Sequence, residues 1–316
     1  MKITILDGFT MNPGDLNYEE LASLGELKVY DRTPAELVYE RAKDSEIVLT
    51  NKTVLDGSML RLLSNLKYVG VLATGYNVVD VEVAKRLGII VTNIPAYSTM
   101  SVAQNVFALI LALTNHAEHY GKEFHLGIWS ECKDFSYSNT RLIELAGKKL
   151  GIVGYGNIGK AVAGIGRAFG MEVYVNSRKS SGELRDVAQL SVDEIFQKCD
   201  VISLHCALTP DTFHIANAER IGRMKKDAIL INTGRGPLVD EDALAVALKE
   251  HKILGAGLDV LSQEPPSKEN PLIGAPGCVV TPHVSWATEE ARRRLLNMAV
   301  ANVRAYLDGH PCNVGS

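Results

Sequence analysis

The sequence contains few cysteines, and no two of them stand at a metal-binding spacing. The five cysteines are scattered along 316 residues, at Cys132, Cys199, Cys206, Cys278 and Cys312. Their number is odd and no C-x-x-C pair occurs, so neither a disulfide framework nor a zinc site is indicated. We therefore expect free thiols in a reducing compartment, and no bound metal.

The sequence also lacks an excess of positive charge and any long hydrophobic run. The formal net charge is -4 and no dense run of Lys and Arg occurs, which argues against nucleic acid and anionic lipid as partners. The apolar stretch Val106–Leu113 is too short to cross a bilayer, and the N-terminal stretch is too short for a signal peptide and soon meets Asp7. We expect a cytoplasmic protein.

What the sequence does contain is a repeated alternation of short apolar strands with helices. The strands of the first region are Lys2–Leu6, Leu27–Tyr30, Ile47–Leu49, Tyr68–Leu72 and Ile89–Thr92. The strands of the second region are Leu150–Val153, Glu172–Val175, Val201–Leu204, Ala228–Ile231, Gly255–Leu258 and Val279–Val280. Strands that alternate with helices at this spacing predict an α/β fold, here two doubly wound lobes with parallel sheets.

Two long helices are predicted outside this alternation. The first covers Ser98 to about Tyr120, where apolar residues recur at helical intervals, and it is followed by a surface loop over Gly121–Leu145. The second is Thr288–Leu307, with a charged solvent face made of Glu289, Glu290, Arg292, Arg293 and Arg294.

A glycine-rich turn follows the strand Leu150–Val153 and opens a helix. It consists of Gly154, Tyr155, Gly156, Asn157, Ile158 and Gly159, the pattern G-x-G-x-x-G. In this context the first glycine permits the tight turn, the second lets a pyrophosphate approach the backbone, and the third lets the helix pack close to the strand. The helix N-terminus offers its free amides to the phosphates. The pattern predicts a dinucleotide site, and the alternative is a glycine turn without a ligand.

The residue after the next strand indicates which dinucleotide binds. An acid at this point would favour NAD, but Asn176 or Ser177 occupies it, and no acid occurs before Glu183. Arg178 and Lys179 supply positive charge, and a guanidinium suits a 2′-phosphate. We therefore predict NADP(H) in preference to NAD(H). The alternative is that Arg178 stacks on the adenine or points to water.

Three polar residues lie just past strand ends of the second lobe, where ligands of open α/β sheets bind. They are Arg235 in a glycine-flanked turn, Glu264 before a proline, and His283 after one. Taken one at a time, such residues are more often solvated or structural than catalytic, and this alternative stays open.

These segments resemble the D-isomer-specific 2-hydroxyacid dehydrogenase family, and within it the glycerate dehydrogenase (hydroxypyruvate reductase) branch. The resemblance extends over essentially the whole chain and is carried by Gly154–Gly159, Asn232–Gly236, Asp259–Pro265 and Thr281–His283. It implies a Rossmann dinucleotide-binding domain at 100–284, inserted into a flavodoxin-like substrate-binding domain at 1–99 and 285–316. It also implies a homodimer, and a cleft that closes over the ligands.

The resemblance assigns Arg235, Glu264 and His283 as the catalytic trio, and their chemistry suits the reduction of a 2-keto acid. His283 can protonate the carbonyl oxygen near neutral pH. Glu264, hydrogen-bonded to the imidazole, would favour the imidazolium and orient the ring. Arg235 can bind the carboxylate and polarise the ketone.

The resemblance also implies further contacts with the cofactor and the substrate. Besides the glycine turn and residues 177–179, the cofactor residues would be Ser101, Cys206, Thr212, Thr233 and Asp259. Besides Arg235 and His283, the substrate residues would be Asn51, Thr74, Gly75 and Trp286. Ordinary turn chemistry is the alternative for the first three of these, and packing under the terminal helix is the alternative for Trp286.

The expected function is hydride transfer between NADP(H) or NAD(H) and a short D-2-hydroxy acid, with hydroxypyruvate or glyoxylate as the 2-keto acid. Other D-2-hydroxy acids, phosphite or formate are alternative substrates on the same fold. The rival outside the enzymes is a dinucleotide-sensing, corepressor-like binding protein.

Overall fold

A computed structural model describes residues 1–178 and 187–315 of the chain. The chain divides into two compact units, which are Met1–Ser98 with Ala287–Ser316, and Thr99–Trp286. Each unit contains one parallel sheet with flanking helices, so the predicted α/β class is confirmed. In the described ranges, no helix is both long enough and apolar enough for a membrane span.

The first unit is built on a five-stranded sheet with the order β2-β1-β3-β4-β5. Its strands are β1 (Lys2–Ile5), β2 (Glu26–Val29), β3 (Ile47–Thr50), β4 (Tyr68–Val71) and β5 (Ile90–Thr92). Its helices are α1 (Glu19–Ala22), α2 (Val38–Ala42), α3 (Gly57–Leu62), α4 (Val81–Arg86) and the C-terminal α11 (Glu289–Leu307). Strands β3 and β4 are buried along their whole length, as expected where helices cover both faces of a parallel sheet.

The second unit is built on a seven-stranded sheet with the order β12-β11-β10-β9-β6-β7-β8. Its strands are β6 (Lys149–Val153), β7 (Glu172–Asn176), β8 (Ala188–Gln189), β9 (Val201–Leu204), β10 (Ile229–Asn232), β11 (Gly255–Leu258) and β12 (Cys278–Val280). Its helices are α5 (Thr99–Thr114), α6 (Ala117–His125), α7 (Asn157–Ala168), α8 (Val192–Lys198), α9 (Ala218–Gly222) and α10 (Glu241–Lys249). All strand pairs are parallel, so the carboxyl ends of β6, β9, β10, β11 and β12 share one edge.

Each predicted strand is present to within one residue at either end, and β8 is an additional strand of two exposed residues. The prediction for 98–145 was wrong in two respects. The long helix ends at Thr114, because His116 adopts a left-handed conformation with φ of 53°, and the next helix, α6, occupies part of the predicted loop. Most apolar residues of this second helix region are exposed, so no buried stripe marks it in the sequence.

Helix α11 differs from the prediction at one position on its charged face. Arg292 is buried, at 7% exposure, and its guanidinium forms a bidentate pair with Asp15 at 2.6 and 2.5 Å. The same guanidinium also donates to the carbonyl oxygens of Met11 and Ala287. Arg292 therefore connects α11 to the segment after β1, where the sequence predicted a solvated side chain.

We expect Arg292→Met to lower the free energy of unfolding by roughly 2 kcal/mol, because several hydrogen bonds from a charged donor are lost. Urea unfolding followed by circular dichroism measures the change. Arg293→Met is the matched control, since Arg293 is exposed on the same helix and pairs with Glu289, and it should change stability by less than about 0.5 kcal/mol. Equal losses in the two variants would contradict a structural role for the Arg292 pair.

Candidate active site

The glycine turn after β6 has the geometry that a dinucleotide requires. Gly154 has a φ of +100°, and a Cβ there would lie 2.4 Å from the backbone nitrogen of Cys206. A Cβ on Gly159 would lie 2.3 Å from the carbonyl oxygen of Gly154. Around Gly156, in contrast, a Cβ would meet nothing within 4 Å. The turn is therefore tight against the protein at its first and third glycines and open at the second, where a pyrophosphate would approach.

Helix α7 begins directly behind this turn, and among the described residues no side chain caps its first amides. Gly156 is the N-cap residue and provides no side-chain hydrogen bond to the first turn. Asn157 is exposed at the first helical position, whereas Tyr155 and Ile158 pack against the core. A 12-residue helix with an uncapped N-terminus at a strand end fits a dinucleotide phosphate.

The end of β7 carries the residues that were predicted to select the cofactor. The Asn176 side chain is occupied, because its Nδ2 donates to the Leu190 carbonyl at 3.0 Å. Ser177 is half-buried and Arg178 is exposed. Lys179 lies outside the described residues. The position expected for an acid in an NAD site thus holds neutral side chains followed by an exposed guanidinium.

The end of β9 is held against the glycine turn by its backbone, while the ring of His205 is bonded within β9 itself. The amide of His205 donates to the Val153 carbonyl at 2.7 Å, and its ring Nε2 lies 2.8 Å from the Ser203 hydroxyl. Burial lowers the pKa of His205 to about 4, so the ring is neutral at physiological pH and contributes no charge to the turn. The Thr212 hydroxyl is engaged in its own turn with Ala207 and Thr209.

Arg235 lies in a turn that is closed by the buried side chain of Asn232 at the end of β10. The Asn232 Oδ1 accepts from the Gly234 amide at 3.0 Å, and its Nδ2 donates to the Arg235 carbonyl at 2.9 Å. The Arg235 side chain is exposed, and its Nη1 donates to the neighbouring Gly234 carbonyl. The hydroxyl of Thr233 is buried, and it has no hydrogen-bond partner among residues 1–178 and 187–315. Because buried polar atoms are normally paired, this hydroxyl is suited to a bound ligand.

Glu264 and His283 form the hydrogen bond that the sequence predicted. Nδ1 of His283 lies 2.6 Å from Oε2 of Glu264, and Oε1 of the same carboxylate accepts from the Leu261 amide at 3.0 Å. The His283 side chain is 29% exposed and its backbone is left-handed, with φ of 53°. Among the residues that the structure describes, none forms a hydrogen bond with its Nε2. The ring is thus oriented at one nitrogen, and its other nitrogen can exchange a proton with a substrate.

The loop that carries His283 is held by Asp259, a role that sequence reasoning missed. The Asp259 side chain is buried, and its carboxylate accepts from the Thr281 hydroxyl and from the amides of Val284 and Ser285 at 2.6 to 3.0 Å. Its backbone carbonyl accepts from the His283 amide at 2.8 Å. The sequence signal for this role is an acid directly after the buried strand β11. The sequence interpretation assigned that acid to the nicotinamide and did not consider that it could hold a neighbouring loop.

The opposite side of this loop contacts the start of α5. The buried Ser101 hydroxyl donates to the Ser285 carbonyl at 2.5 Å. Trp286 follows and is half-buried. Ser101 therefore supports the loop that carries His283.

The residues predicted to bind substrate in the first unit are engaged in local contacts. The buried carboxylate of Asp7 accepts from the amides of Asn51, Lys52 and Thr53 at 2.5 to 2.8 Å. The Thr74 hydroxyl donates to the Ile94 carbonyl at 2.9 Å, while Gly75 is half-buried in the same turn. The amides that follow β3 are thus directed to Asp7, which shapes the turn around Asn51.

Taken together, the second unit brings the glycine turn, Arg235, Glu264 and His283 to the carboxyl edge of one sheet. This arrangement can bind a dinucleotide, accept an anionic substrate and transfer a proton. Among the residues that the structure describes, no three His, Cys, Asp or Glu side chains are grouped so that they could hold a metal ion.

The chain is similar to known proteins over its whole length. Residues 107–285 match the family model described as D-isomer specific 2-hydroxyacid dehydrogenase, NAD binding domain. A hydroxypyruvate reductase of Blautia hydrogenotrophica is 46% identical over 319 residues, covering 99% of this chain and 99% of that protein. A glycerate dehydrogenase of Methylorubrum extorquens is 41% identical and covers 99% of this chain and 98% of that protein.

A solved structure has the same fold. An acyclic imino acid reductase in complex with NADPH and D-Arg gives a TM-score of 0.86 at 34% identity, with 100% of both chains covered. The family model matches more than half of the chain, and both curated relatives are well above 30% identity over its full length. The chain therefore belongs to the D-isomer specific 2-hydroxyacid dehydrogenase family, whose members are oxidoreductases that act on CH–OH groups with a nicotinamide dinucleotide.

Proposed function

We propose that this protein reduces hydroxypyruvate, and also glyoxylate, to the corresponding 2-hydroxy acid with NADPH as the preferred cofactor. The observation that carries the proposal is the 2.6 Å hydrogen bond between His283 and Glu264 in the same unit as the glycine turn. The choice of substrate is supported by the hydroxypyruvate reductase and the glycerate dehydrogenase that resemble the chain over its full length. These relatives do not favour the phosphite, formate or corepressor alternatives.

The residues of the trio have separate tasks in this reaction. A nicotinamide dinucleotide held at the glycine turn Gly154–Gly159 would supply the hydride that carbon 2 of the keto acid accepts. His283, as the imidazolium, gives a proton from Nε2 to the carbonyl oxygen, becomes neutral, and is protonated again from solvent. Glu264 stabilises the imidazolium through Nδ1, and Arg235 binds the substrate carboxylate with its exposed guanidinium.

The remaining assignments are part of the same proposal. Residues 100–284 form the dinucleotide-binding domain, and residues 1–99 with 285–316 form the substrate-binding domain. Asn51, Thr74 and Gly75 lie in turns at strand ends and would contact the substrate, and the ring of Trp286 would narrow the pocket in favour of short keto acids. Ser101, Cys206, Thr212, Thr233 and Asp259 would line the cofactor. The buried Thr233 hydroxyl, which has no hydrogen-bond partner among the described residues, supports this assignment most directly.

The activity is tested by oxidation of NADPH at 340 nm with hydroxypyruvate, glyoxylate and pyruvate. We expect turnover with the first two, and a loss of about 10²- to 10⁴-fold in kcat for His283→Gln, because the proton donor is removed. For Glu264→Gln we expect the alkaline limb of the pH–rate profile to move to lower pH, because the imidazolium loses the carboxylate that stabilises it.

Glu269→Gln is the matched control for Glu264→Gln. Glu269 is exposed in the same loop, and its backbone amide donates to the Ser267 hydroxyl, so replacing its side chain should leave the pH–rate profile unchanged. If wild-type protein oxidised neither cofactor with any short keto acid, the proposed function would be wrong. An unchanged profile in Glu264→Gln would remove only that residue from the mechanism.

The preference for NADPH depends on Arg178 and Ser177 at the end of β7. We expect Arg178→Ser to reduce kcat/KM for NADPH by about 10- to 100-fold and to leave kcat/KM for NADH nearly unchanged, because a charge-assisted contact with the 2′-phosphate is lost. Arg223→Ser is the control, since Arg223 is an exposed arginine of the same unit that pairs with Glu219. A wild-type preference for NADH would overturn this part of the proposal.

The protein is proposed to be a cytoplasmic homodimer. All five cysteines are free thiols, which suits a reducing compartment. From α6 to β6 the chain exposes several large apolar side chains, namely Phe124 in α6 and Leu126, Trp129, Phe135 and Leu142 after it. A second copy of this chain would cover such a surface, because solvated monomers rarely expose several large apolar residues together.

We expect sedimentation velocity to give the mass of a dimer for wild-type protein, and that of a monomer for Phe135→Asp, in which a residue that is 91% exposed becomes charged. Leu62→Asp, an exposed apolar residue of the first unit, should remain dimeric. A monomeric wild type would contradict the proposal.

A further inference from the structure

A glutamate outside the trio, Glu241, contacts both ends of the loop 261–270, which carries Glu264. Glu241 is the first residue of α10, which is capped by the side chain of Asp240. Its Oε1 accepts from the Ser262 amide at 2.5 Å, and its Oε2 accepts from the Asn270 side chain at 2.8 Å. One carboxylate thus joins two points of the loop, one before Glu264 and one after it.

These contacts are directly connected to the trio. The Ser262 amide belongs to the peptide that follows Leu261, and the Leu261 amide is the donor that orients the Glu264 carboxylate. On the other side, Gly236 follows Arg235, and a Cβ on Gly236 would lie 2.0 Å from the Leu261 carbonyl. The backbone at Leu261 is therefore held between the arginine turn and the Glu241 carboxylate.

We infer that Glu241 is a positioning residue for this reaction: its carboxylate fixes the 261–270 loop so that Glu264 meets His283. The inference rests on the proposed function, because it concerns how the proton donor of that reaction is held. Both partners of Glu241 are N–H donors, so two acceptor oxygens are needed. A glutamine of the same shape would place one N–H group against another and would release one end of the loop.

A merely structural role is the alternative, since an acid in the first turn also favours the helix dipole. Asp242 separates the two possibilities. It lies in the same first turn, is exposed, and forms no hydrogen bond or ion pair with the loop in the part of the chain that the structure describes. Asp242→Asn therefore removes a comparable charge from the helix N-terminus without releasing the 261–270 segment.

The experiment compares Glu241→Gln and Asp242→Asn in the full-length protein, with the keto acid that the wild type reduces best. For Glu241→Gln we expect kcat to fall by about 10- to 100-fold, with little change in the KM for the cofactor, because a small displacement of a catalytic group has a large effect on rate. The alkaline limb of its pH–rate profile should move in the same direction as in Glu264→Gln. Asp242→Asn should resemble the wild type in both respects.

Two further measurements make the result specific. Hydrogen exchange should be faster in peptides covering 261–270 of Glu241→Gln, because one of the two points at which Glu241 holds this loop is released, and unchanged in peptides covering α7. The double variant Glu241→Gln/Glu264→Gln should be no slower than Glu264→Gln alone, since Glu241 is inferred to act through Glu264.

The outcomes distinguish this inference from the proposed function. If the wild type reduces no keto acid, the proposed function fails, whatever the exchange data show. If the wild type is active, fully additive effects of the two substitutions, or equal losses in Glu241→Gln and Asp242→Asn, would overturn the positioning role alone.

Discussion

The hydrogen bond between Nδ1 of His283 and the Glu264 carboxylate joins two loops that follow different strands, and the chemistry depends on it. A hydrogen bond weakens steeply when its length or angle departs from the optimum, so each loop must be fixed independently to within a fraction of an ångström. Asp259 fixes the histidine loop through Thr281, Val284 and Ser285. The Leu261 amide orients the glutamate directly. Several residues at the carboxyl edge of this sheet therefore hold His283, the proton donor, in place.

The same physical device recurs where other strands end. Three buried polar side chains at strand ends accept backbone amides of nearby turns. Asn232, the last residue of β10, accepts from the turn that follows its own strand, whereas Asp259 after β11 and Asp7 after β1 accept from the turns that follow the neighbouring strands β12 and β3. Inside a protein these bonds are stronger than in water, and an unpaired group would be costly, so each turn has one stable conformation. The exposed side chain of Arg235 thus extends from a rigid backbone. Less reorganisation of the protein is needed when an anionic substrate binds.

Sequence patterns predicted the elements whose signal is local. The glycine turn and every strand except β8 were predicted within a residue, because apolar runs, glycine spacing and a following helix are all visible over a few positions. The region 98–145 was not, because the helix break depends on the left-handed backbone at His116 and α6 lacks a buried apolar stripe. Arg292 was placed in solvent because its partner, Asp15, lies 277 residues away along the chain.

By itself, the sequence determined the α/β class, the dinucleotide turn and the types of residue that perform acid–base chemistry, because each of these depends on spacing along the chain. Only the tertiary structure decided which polar residues support others: that Asp259 holds the histidine loop, and that Glu241 contacts both ends of the glutamate loop. The reason is that a carboxylate near a strand end looks the same in sequence whether it faces a ligand or the backbone amides of a distant turn. Its role depends on which donors the folded chain brings within about 3 Å of it.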